Sequence, residues 1–136
     1  MKPIRVVIAD DHSVLRAGLK ALLEAESDIR VVGEANDGVD CVGRAVALEP
    51  DVILMDINMP HCNGLEALAQ IKDLLPETKV LVLTMLDDAG YLRRVLASGG
   101  SGYVLKQAAG DELLMAIRTV QDLSLIHISE PTRPMK

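Results

Sequence analysis

The chain has 136 residues, of which 49% are hydrophobic, and it carries 14 Lys and Arg against 20 Asp and Glu, for a net charge of −6. Length and apolar content predict a single domain with one core, and the negative charge argues against a nucleic-acid-binding surface. No apolar stretch approaches the ~20 residues of a membrane span, and no signal-peptide pattern is present. We therefore expect a cytoplasmic protein without a membrane segment.

The first half of the chain alternates between strand and helix patterns. The apolar run at residues 4–9 predicts a buried strand, and Ser13 begins a helical pattern. A second strand is expected at about residues 29–35. Asp37 is expected to cap a second helix, which ends before a third strand that leads to Asp56.

The second half continues the alternation after a stretch of loop formers at residues 59–64. The remaining elements are expected to be a helix that ends before Pro76, a strand at 78–84, a helix that ends at Gly99 and Gly100, a strand at 102–105 and a helix at 111–120. Five strand and helix units predict an α/β fold, a doubly wound parallel sheet with helices on both faces. The flavodoxin-like (βα)5 arrangement with strand order 2-1-3-4-5 fits this size.

Four of the predicted strands lead to residue types that phosphoryl chemistry uses. These are Asp10 and Asp11, Asp56, Thr84 and Lys106. Because the carboxyl ends of parallel strands share one edge of a sheet, these side chains are expected to converge there. The sequence thus predicts three carboxylates, one hydroxyl and one ammonium in one place.

Such a cluster suits magnesium and an attacking carboxylate. Clustered carboxylates repel one another unless a cation lies among them, and Mg²⁺ prefers oxygen ligands. Asp56 is the expected nucleophile, Asp10 and Asp11 the expected metal ligands, and Lys106 and Thr84 the expected donors to phosphoryl oxygens. On spacing alone a structural interpretation stays open, because an Asp after a strand is commonly a turn or helix cap.

Cys41 and Cys62 are expected to be an ordinary core thiol and a loop thiol. The chain has neither paired Cys nor paired His spacing, so a zinc finger is not predicted.

Several motifs together resemble the receiver domain of bacterial two-component response regulators. They span residues 4–121 and read Val7-Ile8-Ala9-Asp10-Asp11-His12, Leu54-Met55-Asp56-Ile57-Asn58-Met59-Pro60 with Gly64, Val82-Leu83-Thr84, and Gly102-Tyr103-Val104-Leu105-Lys106. The runs Arg16-Ala17-Gly18-Leu19 and Val32-Gly33-Glu34-Ala35 are similar to the NarL/FixJ (LuxR-type) subfamily, whose members usually carry a C-terminal helix-turn-helix domain.

The resemblance implies a role for each site residue. Asp56 would accept a phosphoryl group from a sensor histidine kinase, with Thr84 and Lys106 contacting that group. Mg²⁺ would be bound by Asp11 and Asp56, by Asp10 through water, and by the backbone carbonyl of Asn58. Thr84 and Tyr103 would form the switch, and the surface of residues 87–121 would change with it and serve as a possible homodimer face.

The chain departs from the family pattern in two respects. Gln107 follows Lys106, where many receivers have Pro. We also expect the receiver domain to occupy residues 1–122 and residues 123–136 to be a C-terminal tail, a truncation or processing scar that resembles translated sequencing-adaptor sequence. Any DNA contact would then need a domain absent from this chain.

Three functions are compatible with these patterns. The first is a phosphorylated switch that controls transcription, which is not an enzyme beyond its own phosphorylation and dephosphorylation. The second is a standalone receiver that acts as a protein-interaction module. The third is a Mg²⁺-dependent phosphohydrolase, which is disfavoured because Asn58 stands where such enzymes use a second Asp.

Overall fold

The computed structural model describes residues 2–56, 64–84, 89–106 and 110–129, with side chains described throughout except at 89–92 and 123–129. The strands are β1 (Ile4–Ala9), β2 (Ile29–Ala35), β3 (Val52–Asp56), β4 (Lys79–Thr84) and β5 (Gly102–Leu105). The helices are α1 (Ser13–Glu24), α2 (Gly38–Leu48), α3 (Gly64–Leu74), α4 (Ala89–Ala97) and α5 (Gly110–Ser129).

The strands form one parallel sheet in the order β2-β1-β3-β4-β5, which confirms the predicted doubly wound topology. In this order β1, β3 and β4 are adjacent at the centre, and β5 pairs with β4. The carboxyl ends of these four strands therefore lie along one edge of the sheet. Within the described ranges, no helix combines the length and apolar character needed to cross a bilayer.

Two apolar layers cover the sheet, one on each face. Helices α2, α3 and α4 pack on the face that includes Val7, Ile53 and Val82. Helices α1 and α5 pack on the opposite face, which includes Ile8 and Leu54. Since alternate residues of a strand point to opposite faces, the continuous apolar runs of β1, β3 and β4 supply both layers.

Predicted helix ends are confirmed where the sequence carries a specific signal. The Asp37 carboxylate accepts a hydrogen bond from the Asp40 amide at 2.7 Å and caps α2. After α4, Gly99 has a φ of 102°, a left-handed conformation that glycine adopts without strain. The Gly100 amide then donates to the Val95 carbonyl at 2.9 Å and closes the helix end.

Three sequence expectations have clear outcomes on the helices. Cys41 is buried in the core, as predicted. The helix expected at 111–120 is longer than predicted, because α5 runs from Gly110 to Ser129. No Gly or Pro interrupts residues 111–129. The helix expected to end at Gly99 and Gly100 is α4, which ends at Ala97.

Candidate functional site

The sheet brings the predicted site residues to one edge. Asp10 directly follows β1, Asp56 and Thr84 are the last residues of β3 and β4, and Lys106 directly follows β5. Strand register aligns these ends, because Asp56 pairs with Leu83 and Thr84 pairs with Leu105. The Lys106 amide also donates to the Thr84 carbonyl at 2.8 Å, which fixes where the Lys106 side chain leaves the sheet.

Two carboxylates are buried beside a single ammonium group. Asp10 and Asp56 are 0% and 1% exposed, and the Lys106 side chain is 12% exposed. Lys106 Nζ lies 2.9 Å from Asp56 Oδ2 and 3.5 Å from Asp10 Oδ2. Burial lowers the pKa of Lys106, but the hydrogen bond and charge of Asp56, followed by those of Asp10, outweigh burial and raise the pKa above its ordinary value. Lys106 is therefore a fixed positive charge at neutral pH.

Asp10 is held by its backbone and by one carboxylate oxygen. Its amide donates to the Ala35 carbonyl at 3.0 Å, and its Oδ1 accepts from the His12 amide at 2.8 Å. Its Oδ2 is buried and has no hydrogen-bond partner among the described residues, although Lys106 lies nearby. A buried carboxylate oxygen without a donor is costly, so this atom is suited to a cation.

A candidate metal centre adjoins this oxygen. One ligand atom from each of Asp10, Asp11, His12 and Asp56 lies within 4.8 Å of the others. His12 Nδ1 is 3.1 Å from Asp10 Oδ1 and 3.2 Å from Asp11 Oδ1. Three carboxylates supply the hard oxygen donors that a divalent cation such as Mg²⁺ requires. The contact of the His12 ring was not expected, although His12 directly follows Asp11 in the sequence.

Arg16 and Glu34 form an ion pair behind this centre that sequence reasoning did not assign to the site. Arg16 Nε donates to Glu34 Oε1 at 3.1 Å, and Arg16 Nη1 donates to the backbone carbonyl of Asp10 at 2.5 Å. The available signal was the subfamily resemblance, which included both residues. Only the pairing of β1 with β2, which places Glu34 opposite Ile8, brings them together.

The remaining predicted residues have different outcomes. Thr84 is 2% exposed at the end of β4, next to the Asp56 strand. Tyr103 lies on β5, is partly buried and packs against the core layer of α2, α3 and α4. Asn58, Cys62 and Gln107 lie outside the described residues.

Comparison with known proteins places this fold and strand-end cluster in a family. A model of the response regulator receiver domain matches residues 6–118. The chain belongs to this receiver-domain family. The resemblance stated from the motifs is thereby confirmed.

Similar proteins include response regulators of the NarL and LuxR type. The oxygen regulatory protein NreC of Staphylococcus aureus is 48% identical over 118 residues, which are 86% of this chain and 54% of NreC. The chain thus spans about half the length of the curated relatives it matches. The signal receiver domain of the response regulator NarL from Mycobacterium tuberculosis superposes with a TM-score of 0.86 at 32% identity, covering 90% of this chain and 98% of that chain.

A third similar protein is named as a DNA-binding protein. A DNA-binding response regulator of the LuxR family from Staphylococcus aureus has a TM-score of 0.81 and 29% identity, covering 87% of this chain and 98% of that chain. Receiver domains of response regulators are signalling switches rather than metabolic enzymes. They act with sensor histidine kinases, and the family includes DNA-binding output domains.

Proposed function

We propose that this chain accepts a phosphoryl group on Asp56 from a sensor histidine kinase. The observation that carries the proposal is the buried Asp56 carboxylate at the carboxyl end of the central strand, 2.9 Å from the Lys106 ammonium. A carboxylate in this position is excluded from bulk water yet lies at the edge where parallel sheets bind ligands. It is therefore placed to act as a nucleophile.

The transfer forms one bond and breaks another. An Asp56 Oδ attacks phosphorus while the bond from phosphorus to the donor nitrogen of the kinase histidine breaks, and the product is an aspartyl phosphate. The Lys106 ammonium and the Thr84 hydroxyl donate to phosphoryl oxygens, whose charge requires fixed donors. The same groups support phosphorylation from small phosphodonors and the hydrolysis of the aspartyl phosphate.

Mg²⁺ is the proposed cofactor. Asp10, Asp11, Asp56 and the backbone carbonyl of Asn58 would hold the ion, and the buried Asp10 Oδ2 has no hydrogen-bond partner among the described residues. When bound, Mg²⁺ supplies positive charge that offsets the repulsion between the carboxylates and the incoming phosphoryl group. The His12 amide orients the Asp10 carboxylate, and the hydrogen bond from the Asp10 amide to the Ala35 carbonyl fixes its backbone.

Phosphorylation is proposed to act through Thr84 and Tyr103 on the surface of residues 87–121. A local charge change can bias a two-state element in this way. Within the described part of that surface, Leu96 and Met115 are exposed apolar side chains, at 50% and 67%. They support the proposal that this surface contacts a second copy of the chain after phosphorylation.

The proposed output is transcription through a DNA-binding domain outside residues 1–136. This follows the description of the LuxR-family relative and the length of NreC. The proposed location is the cytoplasm, where a kinase domain and DNA are both accessible.

The direct test is phosphorylation of the full chain by a small-molecule phosphodonor, with and without Mg²⁺, measured by intact mass. We expect one acid-labile phosphoryl group that depends on Mg²⁺. The adduct should be lost in Asp56→Asn and retained in Asp28→Asn, a matched change at the opposite sheet edge. No adduct on folded wild-type protein, or an equal adduct on Asp56→Asn, would refute the proposal.

A further inference from the structure

Arg16 holds the peptide that joins the two acidic residues of the metal centre. The carbonyl that accepts from Arg16 Nη1 is that of Asp10, which belongs to the peptide unit between Asp10 and Asp11. The guanidinium is held in turn by Glu34, whose other oxygen lies 3.5 Å from Lys20 Nζ. The Arg16 side chain is largely buried, at 19% exposure, so this arrangement is not a loose surface pair.

The orientation of that peptide determines where the Asp11 carboxylate lies. A peptide unit is rigid and planar, so rotation of the Asp10 carbonyl changes the direction in which the chain enters Asp11. The other anchors of this loop act on Asp10, through Ala35 and the His12 amide, and on the Asp11 carboxylate, through His12 Nδ1 at 3.2 Å, but the described contact to the carbonyl between Asp10 and Asp11 comes from Arg16. The Arg16 contact therefore constrains the peptide that leads from Asp10 into Asp11.

We propose that Arg16, oriented by Glu34, is a positioning residue that shapes the carboxylate centre for Mg²⁺. This rests on the proposed function, in which these carboxylates bind the ion. Mg²⁺ demands a near-ideal octahedron at short distances, whereas Ca²⁺ accepts longer and more variable ones. A loss of the Arg16 contact will weaken Mg²⁺ binding more than Ca²⁺ binding.

The direction in which the affinity for divalent ions changes distinguishes a positioning role of Arg16 from a purely electrostatic one. Arg16 is a cation close to a cation-binding site, so its removal would strengthen the binding of any divalent ion if only Coulomb attraction changed. Positioning has the opposite sign, because a misoriented Asp11 loses coordination. An unspecific weakening of the fold would affect Mg²⁺ and Ca²⁺ alike.

The experiment measures the Mg²⁺ and Ca²⁺ dissociation constants of the full chain by calorimetric titration. In Arg16→Met we expect the Kd for Mg²⁺ to rise about tenfold, the range seen when residues that orient metal ligands are removed. The Kd for Ca²⁺ should rise by no more than about threefold, because its coordination is more flexible. Glu34→Met should show the same trend if Arg16→Met does not fold.

Two variants serve as controls. Arg118→Met removes a guanidinium that pairs with Asp28 and Glu26 at the opposite sheet edge, and both dissociation constants should stay at the wild-type values. Glu34→Gln keeps an acceptor oxygen for Arg16 and should retain most of the wild-type Mg²⁺ affinity.

The inference is overturned if Arg16→Met binds Mg²⁺ as well as or better than wild type, or weakens both ions equally. The proposed function has a separate readout. If the wild-type chain forms the Mg²⁺-dependent adduct on Asp56 while Arg16→Met keeps its ion selectivity, only the positioning role fails. If the wild-type chain binds no Mg²⁺, both proposals fail.

Discussion

The amino and carboxyl edges of the sheet each carry an ion cluster that has two carboxylates and one cation among the described residues, but the two clusters differ in exposure. At the amino edge, Arg118 donates to both oxygens of Asp28 at 2.8 Å and to Glu26 at 2.9 Å. The Arg118 and Asp28 side chains are 38% and 40% exposed. At the carboxyl edge, the buried carboxylates of Asp10 and Asp56 face the Lys106 ammonium.

The difference in exposure is consistent with a structural role for the amino-edge cluster and with the proposed chemical role for the carboxyl-edge cluster. At the amino edge, a planar guanidinium satisfies the carboxylates while water screens the charges, an arrangement that contributes little beyond local order. At the carboxyl edge, the same excess of carboxylates over cations among the described residues lies where water is excluded, which costs free energy. A bound cation would offset this cost, so the unfavourable burial of the carboxylates suits the proposed binding of a metal ion.

Lys106→Met tests the role of the cation at the carboxyl edge most directly. The rate of phosphoryl transfer to Asp56 should fall by about 10²-fold or more, because a preorganised charge at the transferring group is lost. Arg118→Met should leave that rate unchanged, since Arg118 lies at the opposite edge. Single-turnover phosphorylation followed by intact mass measures both. Equal rates for wild type and Lys106→Met would remove the distinction between the two clusters.

Asp10→Asn should separate stability from function. Without a metal, the variant should be more stable to urea by about 1 kcal/mol, because a buried charge in excess is removed while the shape is kept. The same change should abolish Mg²⁺-dependent phosphorylation. Asp28→Asn at the amino edge should instead lower stability. If urea unfolding shows Asp10→Asn to be less stable than wild type, the buried charge at the carboxyl edge does not destabilise the fold.

Acid should remove the contribution of the Arg118 and Asp28 pair to folding stability, and this effect should be smaller than those of the two preceding variants. The hydrogen bond from Arg118 lowers the pKa of Asp28 below its ordinary value near 3.8. A carboxyl whose pKa is lower in the folded state stabilises the fold above its unfolded pKa and loses this contribution as pH falls through the folded pKa. The Tm difference between wild type and Asp28→Asn should therefore be constant near neutral pH and vanish below the folded pKa. A difference that persists at the lowest pH would exclude this ionic contribution.

The sequence predicted the features that depend on local patterns. Continuous apolar runs located the strands, and their last residues placed Asp10, Asp56, Thr84 and Lys106 together because parallel strands share an edge. Asp37 and Gly99 located helix ends, since a cap and a left-handed turn have specific residue requirements.

Features that depend on tertiary contacts were harder to predict. The Arg16 and Glu34 pair requires the register of β1 against β2, which periodicity does not fix. The exposure of Leu96 depends on how α4 is rotated against the sheet. The continuation of α5 past Asp122 shows that apolar residues without a Gly or Pro can extend a helix beyond its amphipathic part.

The most direct test of the account is to find which residue carries the phosphoryl group. Borohydride reduction of the phosphorylated full chain converts an aspartyl phosphate into homoserine, and peptide mass spectrometry then locates it. The account predicts homoserine at position 56 and intact aspartates at positions 10, 11 and 28. Homoserine at another aspartate, or none in protein that carries the phosphoryl mass, would contradict the assignment of Asp56 as the acceptor.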